Sequence, residues 1–281
     1  MNEQQAADAA SVVIRPTSGW VPLRLGDLWR YRELIYFLAW RDLKVRYKQT
    51  VIGVAWVVLQ PLLIALVFAL FFGYLGNIPA DSRNAPYVVF AFCGLLPWQL
   101  FAYALTHSSN SVVASERLVT KVYFPRLVIP IAAVASGFVD FVLVSIVLAC
   151  MMVYFGIAPH RVWAVPLFVA MELAAALGVG LWLSALNVRY RDVRHTIPFL
   201  TQLWFFLSPV VYPSTFIPAE WRYLYGLNPM AGVIRGFRWA LLGKSQALGP
   251  WIWVSAAMTI VLLISGLYYF RRMEKTFADV V

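Results

Sequence analysis

Long apolar stretches separated by short polar ones dominate this chain, and their lengths carry the first inference. A helix needs roughly 20 apolar residues to cross a bilayer core about 30 Å thick. Six stretches have that character, near residues 51–75, 86–107, 127–155, 162–186, 196–213 and 250–270. The pattern predicts an all-α integral membrane fold with six transmembrane helices. Ahead of the first stretch, residues 26–48 follow the helical period: Arg30, Phe37, Arg41, Lys44 and Lys48 share one stripe. Leu34, Leu38 and Val45 lie along one side of it, and Tyr36, Trp40, Leu43 and Tyr47 along the other. A basic stripe between apolar flanks suits an amphipathic helix in the headgroup layer, assigned to residues 25–50. At its end the sequence WRDLKVRYKQT, with Arg41, Lys44, Arg46 and Lys48 around the lone anion Asp42, gives way to apolar residues. No further charge occurs until Asp81.

The segment after the fifth stretch breaks this rhythm. Pro209 and Pro213 interrupt the helix, and residues 214–244 follow on the outer side. Asn228 reads as an N-cap and Pro229 as the first residue of a helix over 229–242. About 14 residues are too few to cross and too apolar for open water, so the region reads as re-entrant helices buried against other spans. Residues 1–24, broken by Pro16, Gly19 and Pro22, read as a flexible cytoplasmic tail, and the first fourteen lack the basic and apolar segments of a signal peptide. The spans occupy residues 51–273, and 274–281 form a cytoplasmic C-terminus.

Composition supports the membrane assignment: 62% of the 281 residues are hydrophobic and 13% charged, against about 25% charged in soluble domains. The net charge of +10 is accounted for by positive-inside bias rather than by nucleic-acid binding. Of 23 Lys and Arg, the segments placed inside hold 8, 3, 3 and 3, and those outside 1, 1 and 4. Both termini are thereby cytoplasmic. Cys93 and Cys150 lie in apolar runs and make neither a disulfide framework nor a metal site. Gly243-Lys244-Ser245 resembles the end of a phosphate loop, but Arg238 stands where that loop requires glycine, and no strand precedes it. The chain is therefore expected to bind no cofactor and to carry no catalytic residue.

Three groups of residues remain as candidates for function. The loop 111–124 contains Glu116, Arg117 and Lys121 on a short helix that Ser111 or Ser115 would cap. Its apolar residues Leu118, Val119, Val122, Tyr123 and Phe124 lie close to water, which suits docking of a soluble partner. Asp140 and Glu172 fall near the middle of the third and fourth spans, where carboxylates are costly and need partners. Hydrogen-bonded glue, through residues such as Ser136, Ser145 or Gln202, and proton coupling are both open. No cation accompanies them at that depth within the spans. Finally, Trp40 and Tyr47 flank the basic stripe of Arg41, Lys44 and Lys48.

The motifs WRDLKVRYKQT (40–50), LQP (59–61), KVYFPR (121–126), NVRYRDV (187–193), YP (212–213) and LNPM (227–230) occur together in one family. Over residues 25–275 the chain resembles the transmembrane permease subunit of ABC-type polysaccharide exporters, which move O-antigen, capsule or teichoic-acid chains. The resemblance implies a homodimer with two separate ATP-binding cassette subunits, which carry the ATP and Mg. It also implies a lipid-linked polysaccharide, on undecaprenyl pyrophosphate, moved outward across the bacterial inner membrane. Glu116, Arg117 and Lys121 would then lie on a coupling helix, and Arg41, Lys44 and Lys48 near the cytoplasmic entrance. Aromatic rings can hold the C–H faces of sugars without strict geometry, so Trp56, Trp98, Trp182, Trp204 and Phe205 are candidates to line the channel. Exporters of a drug, haem or glycolipid, and a proton-coupled transporter using Asp140 and Glu172, are the alternatives.

Overall fold

The computed structural model describes residues 25–48, 53–76, 85–122, 124–243 and 248–277. The predicted tail over 1–24, Tyr123, Lys244, Ser245 and the last four residues lie outside the described residues. All regular structure among the described residues is helical. Helix α1 (Leu25–Arg30) and α2 (Arg32–Tyr47) together form the amphipathic segment, with a break at Tyr31. The bundle follows as α3 (Gly53–Phe68, extended by a wider π-helical turn over Ala69–Leu75), α4 (Tyr87–Ala114), α5 (Glu116–Lys121), α6 (Val128–Tyr154), α7 (Val165–Arg189) and α8 (Val193–Phe206). Then come α9 (Arg222–Gly226), α10 (Pro229–Leu242) and α11 (Trp251–Met273).

Five of the six expected spans are helices long and apolar enough to cross a membrane: those ending at Leu75, Ala114, Tyr154, Arg189 and Met273. The fifth expected span, 196–213, is instead the 14-residue α8 followed by turns. The prolines at 209 and 213 lack the N–H groups that a continuing helix would use. The chain still reaches along the bundle, because the Tyr87 hydroxyl, at the first residue of α4, donates to the Val211 carbonyl.

Two buried clusters set the orientation of the helices. At one end, Val112 of α4, Val128 of α6, Val188 of α7 and Phe270 of α11 pack with Leu38 of α2. At the other end, α10 lies against Phe90 of α4, Phe168 of α7 and Ser255 of α11. Helices α4, α7 and α11 therefore run from the α10 end to the α2 end, and α6 runs back. In lipid such packing rests on close van der Waals contact and internal hydrogen bonds rather than on water exclusion. Helix α4 is the centre of the bundle, with 78% of its apolar window buried, whereas α3 buries 11% and α11 22%. Those two helices present their apolar faces outward.

Helix α10 has the bounds that its caps predict. Asn228 Oδ1 accepts from the Met230 amide at 3.0 Å, and Pro229 occupies the first turn. Gly243, the glycine of the rejected phosphate-loop match, closes the helix in the left-handed region at φ 71°, a conformation that glycine adopts without a Cβ penalty. Neither predicted cap of the 111–124 loop forms. Helix α4 runs on through Ser111, whose hydroxyl donates to Ser108 O, and Ser115 makes no side-chain cap bond to α5.

Candidate transport cavity and its approach

A cavity of about 840 Å³ opens among α3, α4, α6 and α8. Part of its lining is aromatic: Phe68 stacks on Phe205 with centroids 6.1 Å apart, and Trp98 meets Phe205 edge-on at 5.4 Å. The same helices, with α6, also bring polar groups to it: Gln60, Gln99, Thr201, Gln202 and Asp140. Pro61 and Pro198, each inside a helix, also line it. Pro61 has no N–H to donate to the Val57 carbonyl, and Val57 itself lines the cavity. The combination of flat rings with amide and carboxylate groups suits a ligand having both C–H faces and hydroxyl edges. The glutamines within apolar stretches were the sequence signal for this surface; of them only Gln202 was named from the sequence, as a partner for the buried carboxylates.

The predicted channel aromatics fall in different places. Trp98 and Phe205 line the cavity. Trp204 lies behind it, edge-on to Phe101 at 5.0 Å, with its indole N–H donating to Asn228 Oδ1 at 2.8 Å. Trp182 stacks on Tyr269 at 4.1 Å and donates to Ser265, joining α7 to α11. Trp56 is exposed on the outer surface of α3.

On the α2 side lies a second cavity of about 580 Å³, bordered by Arg41, Asp42, Arg46, His107, Asn110 and Arg194 among others. It shares Tyr103 and Thr106 with the first. Between them the carboxylate of Asp140 accepts from both the Arg46 guanidinium and the Tyr47 hydroxyl. Asp140 therefore has a cation after all, but one supplied by α2 from 94 residues away rather than by another span. None of Ser136, Ser145 and Gln202, the expected hydrogen-bond partners, holds it in the bonds described. Ser136 pairs with the Tyr103 hydroxyl at 2.9 Å, and Ser145 donates to Phe141 O. The Arg46 guanidinium also stacks 4.3 Å from the centroid of Tyr103. Burial, with the Asp140 carboxylate beside it, raises the Tyr47 phenol to about 12, so it stays a donor at neutral pH.

Glu172 is fully buried on α7 and lines neither cavity; neither of its oxygens has a hydrogen-bond partner among the described residues. The two carboxylates are thus not brought to one polar path.

The basic stripe faces outward from α2. Arg41, Lys44 and Lys48 border a shallow hollow with Phe37 and Trp40, and Lys44 Nζ lies 5.8 Å from the Trp40 ring centroid. Trp40 in turn stacks on Tyr36. Tyr47 points elsewhere, to Asp140. On α5, Glu116, Arg117 and Lys121 are exposed, while Val119 and the nearby Phe124 are buried in the α2-end cluster. Glu274 helps to hold this end together. Its carboxylate accepts from the Arg126 amide at 3.0 Å and pairs with Arg271 at 3.3 Å. Val119 and Phe124 thus anchor the loop, while Val122 and the charged face are left exposed.

The turn after α8 is held by Arg238, which in the sequence stood out only as the residue breaking the phosphate-loop match. Arg238 of α10 donates to Pro209 O and Val210 O, both at 2.7 Å, and its guanidinium lies 3.6 Å from the Phe90 ring centroid. Gly94 makes room for this: a Cβ there would sit 2.6 Å from Val210 O and 2.7 Å from an Arg238 nitrogen. Asn228 completes the anchor by donating to Leu207 O and Ser208 Oγ.

Residues 33–242 match the ABC-2 type transporter family. Among curated proteins, the chain is 32% identical over 258 residues to the O-antigen export system permease protein RfbA of Myxococcus xanthus, covering 90% of this chain and 97% of that protein. It is 30% identical to the RfbA permease of Klebsiella pneumoniae over 89% of this chain and 95% of that protein. The polysialic acid transport protein KpsM of Escherichia coli is more distant, at 23% identity over 84% of this chain and 91% of its own length.

Proposed function

This chain belongs to the ABC-2 type transporter family, and we propose that it is the permease half of an ATP-driven polysaccharide exporter of the bacterial inner membrane. In this reading two copies form the channel, and two separate ATPase subunits dock on the exposed charged face of α5 through Glu116, Arg117 and Lys121. The cargo is a polysaccharide carried on undecaprenyl pyrophosphate. It approaches from the basic, cytoplasmic side and leaves at the α10 end, with six crossings, α9 and α10 re-entrant, and both termini inside. The ATP and Mg belong to the partner.

The observation that carries the reading is the 840 Å³ cavity lined by both aromatic rings and amide and carboxylate groups. Rings such as Phe68, Trp98 and Phe205 accept sugar C–H faces at many positions along a chain, so a polymer can advance in small steps. Gln60, Gln99 and Gln202 exchange hydrogen bonds with hydroxyls as it moves. The likeness to O-antigen and polysialic acid permeases supports the same cargo class. The ion pair of Asp140 with Arg46, and the separate burial of Glu172, disfavour a proton relay through the two carboxylates.

A photo-crosslinking residue in place of Phe205 tests the path. During ATP turnover it is expected to capture the lipid-linked polysaccharide, whereas the same residue in place of Trp163, exposed away from the cavity, is expected not to. Equal capture at both positions, or at neither, contradicts the assignment.

A further inference from the structure

The cavity and its approach are continuous in residues yet divided by one contact. Tyr103 and Thr106 of α4 border both spaces, Asp140 borders the inner one and Arg46 the outer one. The Arg46–Asp140 bond therefore lies on the boundary between them, and the Tyr47 hydroxyl closes on the same carboxylate. The Tyr103 ring, stacked beneath Arg46 and tied by its hydroxyl to Ser136, completes the partition.

We propose that Arg46, Tyr47 and Asp140 form a latch that closes the inner cavity to the basic face until α2 moves against α6. This rests on reading the inner cavity as the transport path.

The arrangement has the properties that a latch needs. Its two sides come from different helices, since Arg46 and Tyr47 lie at the end of α2 while Asp140 lies near the middle of α6. Movement of α2 alone separates cation and carboxylate without unfolding a span. The pair is partly exposed, at 27% and 20% of its side-chain surface, so water reaches both groups once they part. That access lowers the cost of opening below that of parting a fully buried pair. The contact still closes firmly, because one carboxylate takes two charge-assisted hydrogen bonds, one of them from a cation. The groups facing this contact from other elements are Tyr103 and His107 of α4, Ser136 of α6 and Arg194 of α8. Arg194 and Arg41 border the outer space, so a cargo with a negatively charged headgroup meets cations before it meets the latch.

The test is access of a thiol reagent to the inner cavity. Thr201→Cys in α8 places the probe inside, in a Cys150→Ser background that removes the exposed native thiol; the other, Cys93, is fully buried. The full chain in membrane vesicles is treated with a membrane-impermeant methanethiosulfonate from the side of the basic face. With the latch intact, labelling is expected to be slow. Asp140→Asn is expected to speed it about tenfold, within the span of a conformational coupling of this kind. The exchange Arg46→Asp with Asp140→Arg is expected to slow it again. Equal rates in the intact, Asp140→Asn and exchanged chains overturn the proposal. Should the exchanged chain fail to insert, Tyr47→Phe serves in its place: it keeps the ring and loses one bond. Its rate is expected between those of the intact chain and Asp140→Asn, and a rate equal to the intact chain overturns the proposal. The assay contains neither ATPase nor polysaccharide. Its result stands whatever the cargo proves to be, and failed photo-capture at Phe205 leaves it unaffected.

Discussion

Replacing Arg238 by methionine removes the cation on which the turn after α8 hangs. The side chain makes two charge-assisted hydrogen bonds of 2.7 Å, to Pro209 O and Val210 O, and a cation–π contact at 3.6 Å from Phe90. Hydrogen bonds to charged groups contribute about 1.5–3 kcal/mol each, and a desolvated cation–π contact about 2 kcal/mol. Their gross sum is about 5–8 kcal/mol. Against it stands the desolvation cost of burying the cation, several kcal/mol, which the methionine variant no longer bears. Two buried carbonyls are left without these donors, and the net expected loss is about 3 kcal/mol. Arg238→Lys keeps the charge but has no planar fork to reach both carbonyls, so it is expected to recover only part of that loss. Purified chain in detergent, unfolded by heat and followed by tryptophan fluorescence, provides the assay. At roughly 2–4 °C per kcal/mol for chains of this size, the methionine variant should melt roughly 6–12 °C lower. A variant melting with the parent, or a lysine variant equal to the arginine chain, would refute the view that this side chain pins the turn.

Asn228→Ala is expected to cost about 2 kcal/mol in the same assay, since it removes an N-cap together with the acceptor for the Trp204 indole; a loss below about 0.5 kcal/mol counts against the cap. Glu116→Ala combined with Arg117→Ala should lower transport and stimulated ATP turnover with membrane insertion intact, because both side chains are exposed on α5; normal export at an unchanged ATPase rate would exclude docking there. The triple change Arg41→Gln, Lys44→Gln and Lys48→Gln should weaken substrate-stimulated ATPase activity of correctly inserted protein, each cation near an anionic surface contributing about 1 kcal/mol. Full stimulation with normal substrate dependence would leave these residues as a topology anchor alone. Single cysteines at Trp239 or Leu241, the less buried positions of α10, should be labelled only from the side opposite the basic face, and labelling from the basic side would overturn the re-entrant topology.

What was legible in the sequence was what local chemistry determines. Asn228, Pro229 and Gly243 specify the start and stop of α10 within the residues themselves, and the structure keeps those bounds. Apolar length likewise identifies five helices able to cross. The fifth stretch illustrates the limit: its prolines indicated a break, but the helix stops at Phe206 and the chain beyond is held by Arg238. A buried arginine donating to distant carbonyls leaves no periodic trace. Asp140 is the clearest case. Its surroundings within the spans hold no cation, and its partner comes from the amphipathic segment, whose Arg46 read as one more member of a basic run. Trp182 and Trp204 show the same limit from the other direction, since abundance of aromatics does not distinguish a ring in a cavity from one joining two helices.

Transport by reconstituted protein tests the central claim most directly. The chain and its ATPase partner are placed in sealed vesicles with the basic face outward, and a labelled undecaprenyl-linked polysaccharide is supplied on that side. Its appearance in the lumen, protected from an added glycosidase, is then followed. The account predicts accumulation that requires ATP and the ATPase partner and is indifferent to a pH gradient. Protection driven by a pH gradient without the ATPase, or none with ATP and both subunits present, would contradict it.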